Sequence, residues 1–309
     1  MKARKLKVEG DAVGQRIDNF LIRILKGVPK ARIYRALRKG EVRVNGGRIK
    51  ATYKLGLNDE LRIPPIRVAD VGDPVNPGSD LTAHLKSQVI IDNEQYLVIN
   101  KPSGLPVHGG SGVSMGLIEA LRAIYPEQKQ LELAHRLDRE TSGCLIIAKR
   151  RSALRALHDL WREHQVKKRY IALVQGHWPK SLHKVDSPLK RITLPHGERR
   201  VISDAEGKES ITTSRTLKYY KDATLIEANP HTGRTHQIRV HAKLAGHPIA
   251  GDEKYGSERF NLQMRELGLK RLFLHSASIQ FGSCEHLFGS SICALFDGQM
   301  IACLESLSD

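Results

Sequence analysis

Cysteine is scarce in this 309-residue chain: Cys144, Cys284, Cys293 and Cys303 are the whole complement, and none forms a C-x-x-C pair. A disulfide scaffold is thereby excluded, and a reduced, cytoplasmic setting is expected. Long apolar runs are also missing. Apolar residues make up 40% of the chain, but no run approaches the roughly 18 residues of a membrane-crossing helix. The basic opening MKARKLKVEGDAVGQRID lacks the apolar centre of a secretory signal. His236 and His241 stand five apart, and His135, His231 and His275 are scattered, so no zinc-like spacing occurs and no metal is expected. The loop VHGGSGVSMG, residues 107–116, lacks the Gly-Lys-Ser/Thr ending of a nucleotide-binding loop; it serves as a plain turn or offers N–H groups to an RNA backbone. Repeats and low-complexity segments are absent.

Acidic residues are in short supply, 33 against 50 Lys and Arg, which leaves a net charge of +17. The excess is concentrated: residues 1–68 carry 18 basic and 6 acidic side chains, a net +12, and the remaining 241 residues carry +5. Solubility does not require such clustering. A polyanion docking on the first quarter of the chain explains it, because neutralised phosphates release counterions and drive association.

The length predicts two unequal domains. Ile17, Phe20, Leu21 and Ile24 recur at helical spacing between Gln15 and Leu25, with Gly27 as the stop. A second helix, Lys30 to Lys39, opens behind Pro29 and ends at Gly40; besides apolar Ile33, Ala36 and Leu37 it carries Lys30, Arg32, Arg35, Arg38 and Lys39. EVRVNGGRI is a hairpin around Asn45-Gly46, and LGLNDELRI reads as a further strand pair around Asn58-Asp59. Prolines 64, 65, 74 and 77 mark a linker, giving an expected organisation of residues 1–68, a 69–80 linker and an 81–309 second domain.

In that second domain QVIIDNEQYLVINK predicts a hairpin, MGLIEALRAIY a helix, GCLIIAKR a strand, ALRALHDLWREH a helix capped by Ser152, and RYIALVQG a strand. RTHQIRVHAKLAG has a helical pattern closed by Gly246, on which His236, Arg239 and Lys243 share a face, ordinarily a solvated basic stripe. Strands mixed irregularly with a few helices predict an α+β domain instead of a doubly wound sheet. Directly before the apolar run at Cys144 stands HRLDRETSG, residues 135–143. An aspartate between arginines is most often a surface ion pair, and the pattern alone does not decide between that and a reactive carboxylate.

The combination HRLDRETSG, KKRYIALVQG (167–176), TGRTHQIRVH (232–241), LFLH (272–275) and INKPSGLPVHGGSG, in this order and spacing, resembles the RluA-type pseudouridine synthases. The N-terminal module resembles the small RNA-binding domain shared with a ribosomal small-subunit protein. The resemblance implies a mixed, mainly antiparallel sheet with a helix-helix-hairpin domain in front, and a cytoplasmic monomer that isomerises uridines of 23S ribosomal RNA without cofactor or metal. It implies Asp138 as the catalytic carboxylate, nucleophile at the sugar or acceptor of a sugar proton, with Arg239 as its basic partner. Tyr170 is implied to stack on the target base, Leu274 to wall the pocket, and Arg136 to enter the RNA where the flipped base has left. Lys30, Arg32, Arg35, Arg38, Lys39 and Arg43 are expected to dock the RNA. The rival expectations are a non-catalytic RNA-binding or ribosome-assembly protein with the same fold, and a nucleosidase that cleaves without rejoining. After Phe281 the chain departs from the pattern, since relatives continue with His-Pro and a Gly turn, and a rearranged end is expected there.

Overall fold

A computed structural model describes residues 3–25, 27–66, 76–109, 115–195, 197–282 and 291–308. The chain divides into two compact units, Met1–Val75 and Asn76–Asp309. Most of the expected linker and the centre of the Gly-rich loop lie outside the described residues.

In the first unit, strand β1 (Arg4–Lys7) precedes helices α1 (Ile17–Ile24) and α2 (Lys30–Lys39), followed by β2 (Arg43–Val44), β3 (Gly47–Arg48) and β4 (Glu60–Ile63). The helical spacing of Ile17 and Leu21 and of Ile33 and Leu37 puts all four into one core with Leu55 and Leu61. Gly40 ends α2 in the left-handed region at φ 68°, its N–H bonding the Ala36 and Leu37 carbonyls. The sheet order is β1-β4-β2-β3, and this corrects one expectation. Residues 55–57 form no strand; Asn58 turns at φ 67°, and β4 pairs with the distant β1 and with β2. Pairing between segments distant in the sequence is invisible to a local pattern.

The second unit contains α3 (Ser79–Ser87), β5 (Val89–Asp92), β6 (Tyr96–Lys101), α4 (Leu117–Ile124), β7 (Glu132–Leu133), β8 (Ser142–Ala148) and α5 (Arg151–Arg162). It continues with β9 (Val166–Gln175), β10 (Lys184–Asp186), β11 (Leu189–Thr193), β12 (Arg199–Ser203), β13 (Ile211–Tyr219) and β14 (Ala223–Pro230). Helices α6 (Gln237–Leu244) and α7 (Glu258–Glu266), strands β15 (Leu274–Phe281) and β16 (Ser291–Cys293), and helix α8 (Gly298–Ser306) complete it. A ten-stranded sheet runs β10-β13-β14-β9-β15-β8-β6-β5, with β7 and β16 paired to β8 and β15. Along this path the pairs are antiparallel except β15 with β8. The expected α+β class and mainly antiparallel sheet are what the chain adopts. β11 and β12 form a separate hairpin.

All seven residues of β8 are buried; the apolar run from Cys144 to Ala148 requires this of a central strand, and each large apolar side chain contributes about 1.5–3 kcal/mol on burial. Gly143 makes the parallel neighbour possible: at φ +108° a Cβ there would lie 2.3 Å from the Ser276 carbonyl oxygen of β15. Helix α5 begins at Arg151 because Arg150 is extended at φ −128°, and it has no side-chain cap. Ser152 therefore sits inside the first turn and is not the expected cap. Beyond Phe281, β16 folds back on β15 and α8 buries Met300 and Cys303; the rest of the divergent stretch, 283–290, lies outside the described residues.

Candidate active site

Strands β8, β15, β9 and β14 are consecutive neighbours at the centre of the sheet, and the loops and ends of these four carry the motif residues. The Asp138 loop, residues 134–141, joins β7 to β8 and is held from several sides. Ala134 N–H donates to the Ile146 carbonyl, Thr141 N–H closes a turn on the Asp138 carbonyl, and Gly104 N–H reaches the Arg139 carbonyl at 2.9 Å. Ser103 Oγ donates to the Glu140 carbonyl at 2.6 Å. Lys101, fully buried, donates to the carbonyls of Pro102, Leu105 and Arg139 at 2.8, 2.8 and 3.0 Å. Burial pulls its ammonium down to about 7, but three carbonyls, one for each N–H, select the protonated form. The INKPSG motif thus acts as a buried clamp that fixes the loop bearing Asp138.

Asp138 lines a pocket of about 280 Å³ with Arg136, Tyr170, His236, Arg239 and Leu274. That volume, near the lower end of the roughly 300–1,000 Å³ of small-molecule sites, suits one nucleoside better than a large ligand. Tyr170 sits in register between Ser276 of β15 and Ala228 of β14, and Leu274 opens β15, so both are fixed by the sheet. Burial pushes the Tyr170 hydroxyl above its ordinary range and the charge of Asp138 acts in the same direction. The phenol is therefore neutral near pH 7. Arg136 is exposed at the rim, and Leu137 between the two turns inward and is buried.

Arg239 is where the structure departs most from expectation. Far from a solvated stripe, residues 237–242 of α6 are all buried. The Arg239 guanidinium, 6% exposed, takes Asp252 as its bonded partner: Nε donates to Oδ2 at 2.8 Å and Nη2 to Oδ1 at 2.7 Å. Burial opposes its charge, while Asp252 first and Asp138 second hold it above the ordinary arginine value. Asp138 thus faces a fixed positive charge without bonding to it. Asp252 also accepts the N–H groups of Lys254 and Tyr255 at 3.0 and 2.9 Å. The Tyr255 ring lies under the guanidinium at 5.0 Å, and its hydroxyl meets His236 Nδ1 at 2.8 Å. Asp252, Tyr255 and His236 carry the site's positioning network, and the sequence reading missed them. The available signal was GDEKYG: Gly251, at φ +70°, would put a Cβ 1.9 Å from the Arg271 carbonyl oxygen, so only glycine fits before Asp252.

Two histidine rings are held neutral by their surroundings. His135 Nε2 accepts the Ile146 N–H at 3.0 Å and its ring stacks on Trp161; burial, then Lys168, pulls it down to about 3. Ser142 Oγ accepts from Arg271 at 2.7 Å and meets His275 Nδ1 at 2.7 Å, and Nε2 meets the Ala294 carbonyl at 3.1 Å. Burial takes His275 down to about 4. The unfolded chain binds these protons at an ordinary pH near 6.5, so it holds more protons than the folded chain as pH falls through that window. Stability is full above about 6.5 and is lost toward 4 and then 3. Going from pH 7 to 5 should cost about 2 kcal/mol per histidine at most. In His135→Gln, urea unfolding at pH 7 and 5 should show a smaller pH difference than in wild type; an unchanged difference would remove His135 as its source.

In the first unit, Lys30, Arg35, Arg38, Lys39 and Arg43 are exposed. Arg32 is half-buried and bonded to Glu41 at 2.8 Å. Arg48 joins Arg38 along a groove with Lys50. Among the described residues no group of three or more His, Cys, Asp or Glu could hold a metal ion, and no helix is long and apolar enough to cross a membrane.

The family profile described as RNA pseudouridylate synthase matches residues 95–244, and that of the S4 domain matches residues 15–61. The chain is similar to ribosomal large subunit pseudouridine synthase C of Haemophilus influenzae, 50% identical over 307 residues, covering 99% of this chain and 95% of that one. The Escherichia coli protein of the same name is 53% identical over 277 residues, 89% and 87% of the two chains. Among solved structures, human RNA pseudouridylate synthase domain containing 1 superposes with a TM-score of 0.55 at 25% identity, over 76% of this chain and 99% of that one. The human domain containing 4 shares the fold with a TM-score of 0.59 at 24% identity, over 73% and 95%. With half its residues identical along the full length of such relatives, and with four of the five motifs lining one nucleoside-sized pocket, the chain belongs to the RNA pseudouridylate synthase family, of the RluA type.

Proposed function

We propose that this protein isomerises specific uridines of 23S ribosomal RNA to pseudouridine, with Asp138 as the carboxylate acting at the sugar of a flipped-out nucleotide. One observation carries the reading: Asp138 is brought together with Tyr170, Leu274 and Arg239 from separate motifs around one pocket of about 280 Å³. The ribosomal substrate rests on the names of the relatives. A base stacked in RNA must leave the helix to reach such a pocket, at a cost of a few kcal/mol, and Arg136 at the rim fills the gap it leaves. Asp138 then acts on the sugar, as nucleophile or as proton acceptor, and the glycosidic bond breaks. The detached uracil turns between Tyr170 and Leu274, walls that exclude the water which would otherwise intercept the sugar. Carbon 5 bonds to C1′ as the bond to the Asp138 carboxylate breaks or, on the proton-acceptor route, as Asp138 returns the proton to the sugar; the carbon 5 proton leaves for solvent and N1 takes one up. Arg239, fixed by Asp252, sets a positive charge facing the Asp138 carboxylate.

The test is large-subunit RNA carrying tritium at carbon 5 of uracil. Isomerisation releases tritium to water, a binding protein releases none, and a nucleosidase yields free uracil. Absence of release from every large-subunit fragment would sink the enzyme reading.

Residues 1–68 form the docking domain in this reading, 69–80 the linker, and 81–309 the catalytic domain of a cytoplasmic monomer. Docking falls to Lys30, Arg35, Arg38, Lys39 and Arg43, and least to Arg32, whose charge is already matched. Replacing Arg35, Arg38 and Lys39 together by Gln should flatten the dependence of log affinity on log salt by about 1 per lost phosphate contact, leaving the single-turnover rate at saturating RNA unchanged. Arg32→Gln should change the slope less than any one of them. Equal slopes for the triple variant and wild type would refute the docking assignment.

A further inference from the structure

We infer that Lys168 holds the phosphate on the 5′ side of the target nucleotide, an assignment that rests on the uridine-isomerising reading above. Lys168 and Tyr170 lie two residues apart on β9 and both line the pocket. Alternation along a strand puts them on the same face about 6.6 Å apart, the reach of one nucleotide. The charge of Asp138 is felt by Tyr170, Arg239 and His236, whereas that of Lys168 is felt by His135. The strand register gives the same order: Tyr170 stands opposite Ser276, next to the His275–Ser142 pair where the Asp138 loop enters β8, and Lys168 stands opposite Ile279, further along β15, so Tyr170 lies between Lys168 and the entry of that loop. A nucleotide whose C1′ and C2′ face Asp138 carries its 3′ phosphate on that same side, because C3′ adjoins C2′. Its 5′ phosphate leaves across the ring, toward Lys168.

What Lys168 lacks is the second part of the argument. Among the described residues no carboxylate or carbonyl bonds its ammonium, although the side chain is partly buried. The other cations of the pocket are accounted for: Arg239 is bonded to Asp252, Arg234 donates to the Glu209 carbonyl at 3.0 Å, and Arg136 is exposed to water. A partly buried charge without a partner is unfavourable in the free protein. Burial indeed holds this ammonium below the ordinary lysine range, and an arriving phosphate removes the deficit. The structural alternative is a lysine whose stem merely covers the Trp161 ring.

The large-subunit fragment that wild type isomerises would be synthesised with a neutral methylphosphonate replacing the phosphate 5′ of the target uridine, or replacing either neighbouring phosphate. Affinity across salt concentrations and the single-turnover rate would be measured for wild type, Lys168→Gln, Lys168→Met and Lys168→Arg. Lys168→Gln and the 5′ methylphosphonate should each weaken binding about tenfold and lower the salt slope by about 1. Together they should do no more than either alone, and Lys168→Arg should retain most of the affinity. Lys168→Met preserves the apolar stem; it should match Lys168→Gln, and wild-type affinity in it would establish the covering role instead. Additive losses, coupling to another phosphate, or no loss each overturn the assignment. Tritium release by wild type from unmodified RNA tests the parent reading separately.

Discussion

Asp138→Asn should lower the isomerisation rate by on the order of 10⁴-fold, with RNA affinity and thermal midpoint close to wild type. Asparagine keeps the shape and size of the side chain but can neither attack the sugar nor accept its proton. The folded loop should not notice the change. Its turn is closed through the Asp138 backbone carbonyl, its flank is clamped by Lys101 and Ser103, and no ion pair of Asp138 is present among the described residues. The measurements are single-turnover tritium release at saturating RNA, equilibrium binding and thermal unfolding. A residual rate within tenfold of wild type would move the chemistry to another group, and a fall in midpoint matching the loss of rate would make Asp138 structural.

Removing the partner of Arg239 should be the most damaging single change to the catalytic unit. Asp252→Ala leaves a buried guanidinium with neither of its two carboxylate bonds, and breaking a buried pair from one side costs about 3–5 kcal/mol. It also frees the N–H groups of Lys254 and Tyr255, and with them the Tyr255 ring under Arg239 and the contact to His236. Urea unfolding should show the loss and tritium release should fall with it. Stability and catalysis separate in the double variant Arg239→Met with Asp252→Leu. Apolar residues of similar volume often restore the stability of a broken buried pair, so the midpoint should largely recover, while isomerisation stays lost because nothing positive faces Asp138. An active double variant would show that the pair serves only the fold.

The elements were legible wherever a local period was strong. Five of the seven buried residues of β8 were announced by the unbroken apolar run from Cys144 to Ala148, and α2 by Ile33, Ala36 and Leu37 at helical spacing with a left-handed glycine behind them. The misread places share a cause. Residues 55–57 look like a strand, but a strand exists only where a partner lies alongside, and β4 found its partner in β1. Ser152 is a good capping residue one position too late, because the extended backbone of Arg150 set the start of α5.

The sequence by itself determined the chemistry available to this protein. An aspartate in a polar loop before a buried strand, a tyrosine and a lysine on one strand face, an arginine on a helix, and a first quarter rich in positive charge can all be read without coordinates. Tertiary structure decided which of these groups meet. Arg239 lay on what resembled a solvated stripe, yet α6 is buried and its guanidinium is bonded to Asp252 instead of Asp138. Lys101 closes the hairpin segment QVIIDNEQYLVINK and shows no role in the sequence, and its buried ammonium clamps the Asp138 loop. Periodicity reports the face on which a side chain lies. The partner of a buried charge depends on distance and exclusion of water, and both arise only when strands far apart in the chain are laid side by side.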